Sequence, residues 1–245
     1  MSVKATKKSK AITSGTKEWA DHNVNLIDGC IHDCKYCYAK RIAKRFGRAT
    51  DESWKVMHVR QNDVRKGYNK REGRVMFPTS HDLIPEDPSF ASCMVVLGKL
   101  LASSNQVLIT TKPHVVAIKH ICDHFEQFKD QIQFRFTITS MSDHVLARWE
   151  PGAPPFAERL ESLVYAALSG YKTSVSIEPI LDVTIRALDA LYQAVVPYCT
   201  ESVWLGTMNY FHDPHKLDAR LIYQHFQDKR LVRFKDSIRN AVGLV

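Results

Sequence analysis

The stretch NVNLIDGCIHDCKYCYAKRIAKRF, residues 23–46, contains a complete strand–loop–helix pattern. Asn23–Ile27 alternates polar and apolar residues like a strand, and Ala39–Phe46 has apolar residues at helical spacing. Between them lie Gly29 and three cysteines in eight residues, Cys30, Cys34 and Cys37. A strand handed directly to a helix is the repeating half of a parallel sheet. Gly29 gives the backbone freedom where the thiols must converge.

The same alternation continues along the chain. Further strands are expected at Arg74–Pro78, Gln106–Thr111, Gln133–Thr139, Lys172–Ile177 and Ser202–Leu205. Helices are expected at Ser89–Ser103, His114–Phe128, Pro155–Ser169, Val183–Val196 and Pro214–Phe226. Phe156, Leu160, Leu163, Val164 and Ala167 share one helical face, and Gly170 stands where a helix-ending glycine belongs. Six β/α units predict an α/β fold, either a partial (β/α)6 TIM-type barrel or a doubly wound sheet. Pattern alone does not separate the two, but no Gly-rich dinucleotide fingerprint follows the first strand, which weakens the dinucleotide-binding alternative; the expected architecture is the partial barrel. Residues 48–73 break the repeat and read as an insertion with one extra strand, Lys55–Val59.

In a parallel barrel, a loop after a strand opens on the C-terminal face, where active sites assemble. Three thiolates can hold three irons of a [4Fe–4S] cube and leave the fourth without a protein ligand, whereas electron-transfer clusters use four cysteines. The competing reading is zinc, with His32 as fourth ligand. His32 lies between two of the cysteines, a poor position for a tetrahedral set. Lys35, Lys40 and Arg41 add positive potential beside the thiolates.

The spacing C-x3-C-x2-C, with an aromatic before the last cysteine, resembles the radical S-adenosylmethionine (SAM) enzymes. Several segments narrow the resemblance to the spore photoproduct lyase-like, photolyase-related branch. They are Cys34–Tyr38, the Thr111-Lys112 pair, Phe134–Thr139, Glu150-Pro151-Gly152-Ala153-Pro154 with Arg159 and Leu160, and Gly170–Ile180. The likeness covers roughly residues 23–182, within a radical SAM domain of residues 18–245. It implies a [4Fe–4S] cluster on Cys30, Cys34 and Cys37, and SAM on its open iron. Reductive cleavage of SAM would then give a 5′-deoxyadenosyl radical for hydrogen abstraction.

The resemblance also implies cofactor contacts. Lys112 would pair with the methionyl carboxylate, while Thr79, Ser80 and Asp82 match a T-S-D segment with His81 inserted. Thr139 and Ser140 would meet the ribose, and Ser176 and Glu178 would face the cofactor, with Glu178 alternatively capping the next helix. Tyr36 would pack on the cluster or the adenine. One position departs from the branch. The spore lyase carries a hydrogen-donating cysteine just before its T-S-D segment, and here that position is Pro78. Thymine-dimer repair is therefore not carried over. Cys93, Cys122, Tyr36 and Tyr38 are alternative donors, although the first two and Cys199 sit in apolar segments and read as buried thiols.

With 34 Lys and Arg against 26 Asp and Glu, the 245-residue chain carries a formal charge of +8. Six basic residues and no acid fall between residues 35 and 48. Such a surface suits nucleic acid or is simply a solvated face. Residues 1–17, with Lys4, Lys7, Lys8 and Lys10, read as a flexible basic arm. No apolar run reaches membrane-spanning length, and scattered unpaired cysteines suit a reducing cytoplasm. A reductant such as flavodoxin or ferredoxin is the implied partner. His22, His81, His114, His144, His212 and His215 form no ligand spacing, and His81 stands nearest the expected site. The alternatives are a non-catalytic iron–sulfur or zinc module that binds nucleic acid, and a radical SAM enzyme acting on a peptide or small metabolite.

Overall fold

The computed structural model describes residues 15–208 and 216–244. Most of the predicted arm, His212, His215 and the predicted helix start at Pro214 lie outside the described residues. Strands β1 (His22–Asn23), β4 (Arg74–Phe77), β5 (Gln106–Thr111), β6 (Ile132–Thr137), β7 (Lys172–Ile177), β8 (Ser202–Leu205) and β9 (Val232–Phe234) form one seven-stranded sheet in that order. Every neighbouring pair in it is parallel. The chain is a partial TIM-type barrel, and β9 adds a seventh strand to the six expected. With only three residues, β9 carries too short an alternation to stand out in the sequence.

The strands alternate for a physical reason. Ile132, Phe134 and Phe136 of β6 face outward into the main apolar core, with Val175 and Ile177 of β7. Helices cover that face: α3 (Ser89–Ala102), α4 (Val115–His124), α6 (Phe156–Leu168), α7 (Ile185–Val195) and α8 (Ala219–Phe226), while α1 (Tyr38–Arg45), α2 (Gln61–Arg65) and α5 (Asp143–Trp149) lie in other segments between the strands. The alternate residues turn inward, where Gln133 Nε2 and Arg135 Nε both donate to Ser174 Oγ at 3.2 Å. In β6 and β7 polar residues on alternate positions therefore face the barrel interior, and apolar ones hold the helical coat; Met76 and Leu108 of β4 and β5 instead pack in a separate cluster with Ala20.

The first predicted strand is divided. Only His22–Asn23 joins the main sheet, and β2 (Ile27–Asp28) pairs antiparallel with β3 (His58–Val59). The insertion strand is thus shorter than Lys55–Val59. Its role is to support the cysteine loop from outside the barrel. Asn25, between the two short strands, instead bonds the loop after β4, as described below.

The edges β1 and β9 do not pair with one another. A helical turn, Gly15–Glu18, spans the seam between them. Lys235, directly after β9, places Nζ 2.8 Å from Glu18 Oε1, with both side chains 2% exposed. Lys235 Nζ also donates to Gly15 O at 2.8 Å. The end of the predicted flexible arm is therefore part of the barrel wall.

Candidate active site

The C-terminal ends of the strands surround a cavity of about 680 Å³. Cys30, Cys34 and Cys37 form one wall, with Lys112, Ser176 and Glu178 among the other lining residues. The cysteine loop is fixed on two sides. Cys30 N donates to Trp54 O at 2.8 Å, and Gly29 takes φ +97° with its α-carbon against Val56 O. Any side chain at Gly29 would strike that carbonyl. On the other side, Lys35 N donates to Trp149 O at 2.9 Å and Gly152 N to His32 O at 3.1 Å. The Glu150–Pro154 turn is therefore the floor of the loop, which explains why the two motifs occur in one chain.

Cys37 is the N-cap of α1 (Tyr38–Arg45), and Lys40 N donates to its Sγ at 3.4 Å. Burial pushes the Cys34 thiol up to about 12; Lys112 opposes this, while Glu150 and Cys37 add to it. Cys30 is raised by burial and then by Asp82 and Cys34. Metal-free, these two thiols keep their protons, and binding a metal would displace them.

Three thiols on one loop fit three irons of a cluster. Among the described residues no three or more His, Cys, Asp or Glu side chains converge so as to hold one metal ion between them. His32 is committed elsewhere: its Nδ1 lies 3.1 Å from Asp82 Oδ2 and its Nε2 3.0 Å from His114 Nε2. The zinc set of three cysteines and His32 is not assembled. Lys40 is also occupied, held by Asp33 at 2.7 Å and Asp51 at 2.9 Å.

Lys112 follows β5 and lies 5.6 Å from the Tyr36 ring centre. Burial alone would lower its ammonium; Cys34, Glu150 and Asp82 outweigh that and hold it above the ordinary lysine range. It is a secured cation on the cavity wall. Asp82 organises its surroundings. The Asp82 carboxylate accepts from the Thr111 hydroxyl, Lys112 N at 3.0 Å and Leu83 N at 2.9 Å. Burial disfavours its charge, yet His32, Lys112 and Thr111 keep the carboxyl well below the usual range. His81 is a neutral buried imidazole, pushed down to about 4 by burial, and its Nε2 accepts from Leu26 N at 3.3 Å.

Thr79 and Ser80 line the cavity. Asn25 sets their loop, since Thr79 N and Ser80 N donate to its Oδ1 at 2.6 and 2.9 Å, and its Nδ2 donates to Thr79 Oγ1 at 2.7 Å. Sequence reading passed over Asn25; the available signal was an amide in the middle of a predicted strand. Tyr38 Oη donates to Thr79 O at 2.7 Å.

Tyr36 donates its hydroxyl to Glu150, which Thr139 Oγ1 also reaches at 2.9 Å. Thr139 and Ser140 do not line the cavity. Both are fully buried, and Ser140 Oγ donates to Asp182 Oδ1 at 2.7 Å. The strand ends at Thr137, two residues earlier than predicted, and Thr137 lines the cavity instead. Ser176 and Glu178 do reach it. Ser176 Oγ has no hydrogen-bond partner among the described residues. Glu178 is not a helix cap, because Thr184 caps α7 through Ala187 N at 3.2 Å. Its Oε2 lies 3.8 Å from Lys235 Nζ. Cys93 and Cys122 are buried in α3 and α4, away from the cavity; Tyr36 and Tyr38 line it.

The architecture is shared with solved enzymes. Spore photoproduct lyase, as a mutant with dinucleoside spore photoproduct, superposes with a TM-score of 0.57 at 20% identity, over 89% of this chain and 64% of that one. Streptococcus suis SuiB bound to S-adenosylmethionine superposes with a TM-score of 0.57 at 9% identity, over 87% and 47%. The protein has the fold of the radical SAM enzymes. Its form of that fold is spore photoproduct lyase-like.

In sequence, it is 29% identical over 174 residues to an uncharacterized protein of Acidianus two-tailed virus, covering 66% of this chain and 56% of that one. It is 26% identical over 162 residues to an uncharacterized protein of Methanocaldococcus jannaschii, covering 66% and 61%. The chain thus spans about three-fifths of these relatives. No family model matches it. No helix among the described residues is long and apolar enough to cross a membrane.

Proposed function

We propose that the chain is a radical SAM enzyme, with a [4Fe–4S] cluster on Cys30, Cys34 and Cys37. The observation that carries this reading is that Lys112, a secured cation, lines the same cavity as the three-thiol loop. When bound, the cluster would supply the electron that cleaves the sulfonium of SAM and yields a 5′-deoxyadenosyl radical. Lys112 would hold the cofactor carboxylate by a charge-assisted contact. Asp82 keeps the Lys112 backbone in place through the bond from its N–H. Thr79, Ser80 and Ser176 line the cavity, and the Ser176 Oγ behind its surface is buried and unpartnered among the described residues. The buried flanks of the cysteine loop exclude water from one side of the cavity.

The substrate in this reading is nucleic acid or a nucleotide-containing molecule. The positive charge of the chain supports it, as does the likeness to a lyase solved with a dinucleoside photoproduct. A reducing cytoplasmic setting, with flavodoxin or ferredoxin as electron donor, completes the proposal.

Anaerobic reconstitution with iron and sulfide, followed by dithionite and SAM, tests it. The expected result is a visible iron–sulfur absorption and release of 5′-deoxyadenosine. Absence of 5′-deoxyadenosine from fully loaded protein would remove the enzymatic reading. About one zinc per chain without visible absorption would replace it with a structural metal site.

A further inference from the structure

We propose that the outer end of α1 is a docking surface for single-stranded nucleic acid, with Phe46 as a stacking platform and Arg45 and Arg48 as phosphate contacts. The proposal deepens the substrate side of the function above by giving the polymer a place to bind. Helix α1 is two-faced. Ala39 and Ala43, one turn apart, pack inward with Cys30 and Trp54. Ile42 and Phe46, also one turn apart, face outward and are 40% and 68% exposed. The Phe46 ring belongs to no apolar cluster among the described residues, and its ring contacts there are with cations.

The charges around the ring sort into two groups. Lys44 is held by Asp51, and Lys40 by Asp33 and Asp51. The guanidinium groups of Arg45 and Arg48 meet no carboxylate among the described residues. Each instead lies 5.9 Å from the Phe46 ring centre. The helix dipole accounts for cations in a last turn, but not for an exposed aromatic between them. Two unneutralised guanidiniums flanking an open ring match an unpaired base and its adjoining phosphates. Duplex DNA fits less well, because its bases are already stacked. Charge thus argues for a polyanion, and the ring selects its single-stranded form.

The position suits delivery to the cavity. Cys37, at the start of α1, lines the cavity, and the eight-residue helix is about 12 Å long. Phe46, which caps the other end of α1, therefore lies about one helix length from the cysteine wall.

The test is fluorescence anisotropy of the full chain with labelled mixed-sequence DNA and RNA single strands, and with the matching DNA duplex. Binding requires neither SAM nor cleavage, so its failure and that of the enzymatic reading are separately visible. At least one single strand should bind more tightly than the duplex, and the DNA and RNA arms identify which. Phe46→Ala should weaken that binding about fivefold or more, with an unchanged melting curve. The double change Arg45→Gln with Arg48→Gln should reduce the log–log salt slope by about 1.4. Lys44→Gln, whose charge is already paired, should change affinity less than twofold. Absence of binding by the parent chain would overturn the proposal. So would a Phe46→Ala affinity equal to the parent's, or tighter binding to the duplex. A Phe46→Ala shift in oligomeric state with no loss of binding would assign the ring to self-association instead.

Discussion

Arg159 Nη2 lies 2.6 Å from Glu150 Oε2 with neither side chain exposed, beneath the residues that carry the cysteine loop. Glu150 also accepts the Thr139 and Tyr36 hydroxyls. Burial works against its charge, but Lys112, Arg159 and Tyr36 together keep the carboxyl below its ordinary value. Removing the guanidinium leaves a buried carboxylate without its direct ion-pair contact. Arg159→Met should therefore destabilise the fold by about 3–5 kcal/mol, measured by urea denaturation. Replacing both residues by apolar ones should recover much of that loss. A double variant no more stable than the single one would show that shape, not charge, governs the site.

Lys112→Met should leave the fold intact and weaken SAM binding to the iron-loaded protein by about 10- to 100-fold, the range expected for losing a bond to a charged group. Equilibrium dialysis with labelled SAM gives the comparison directly. Unchanged affinity would place the cofactor carboxylate on a different group.

Much of this site was legible because its chemistry is local in sequence. The cysteine loop, the residues after β4 and β5, and the Glu150 turn each occupy a few consecutive positions. Strands β5, β7 and β8 matched their predicted limits because each is a short run rich in apolar and β-branched residues, bounded by turn or polar residues. What failed was long-range. Nothing near Thr139 says that Glu150 will take its hydroxyl, nor near Ser140 that Asp182 will. Glu18 and Lys235 meet across 217 positions to close the seam, and only the completed barrel brings them together. Asn25 was overlooked because a strand pattern hides residues that bond a neighbouring loop.

Glu178 gives the stability a pH dependence. Burial pushes its carboxyl up from 4.5 to about 7; Lys235 opposes this, and Glu18 and Asp236 reinforce it. Below pH 4.5 the folded and unfolded chains both hold this proton. As pH rises toward 7 the unfolded chain releases it first, so the folded state loses stability through that window. Above the folded value the loss is complete, with a ceiling of about 3 kcal/mol. Glu178→Gln cannot titrate, so its stability relative to the parent should climb between pH 4.5 and 7 and then level off. Denaturation midpoints across that range check the prediction, and parallel curves for the two proteins would refute it.

Gly152 tests whether the Glu150 turn truly supports the cysteine loop. A β-carbon there would lie 2.2 Å from Ile31 O and 3.0 Å from His32 Cα, both of them backbone atoms. Neither neighbour can move away by rotating a side chain, so the loop itself must shift between Cys30 and Cys34. Gly152→Ala should fold, with a loss of about 1–3 kcal/mol typical of overpacking. Its distinctive defect should be in metal loading, with fewer irons per chain than the parent under identical reconstitution. Cys93→Ser provides the contrast, because that thiol is buried in α3 away from the cavity and should leave iron content unchanged. If Gly152→Ala loads iron fully, the loop tolerates displacement of its floor, and the insertion behind Gly29 must hold the three thiols in place alone.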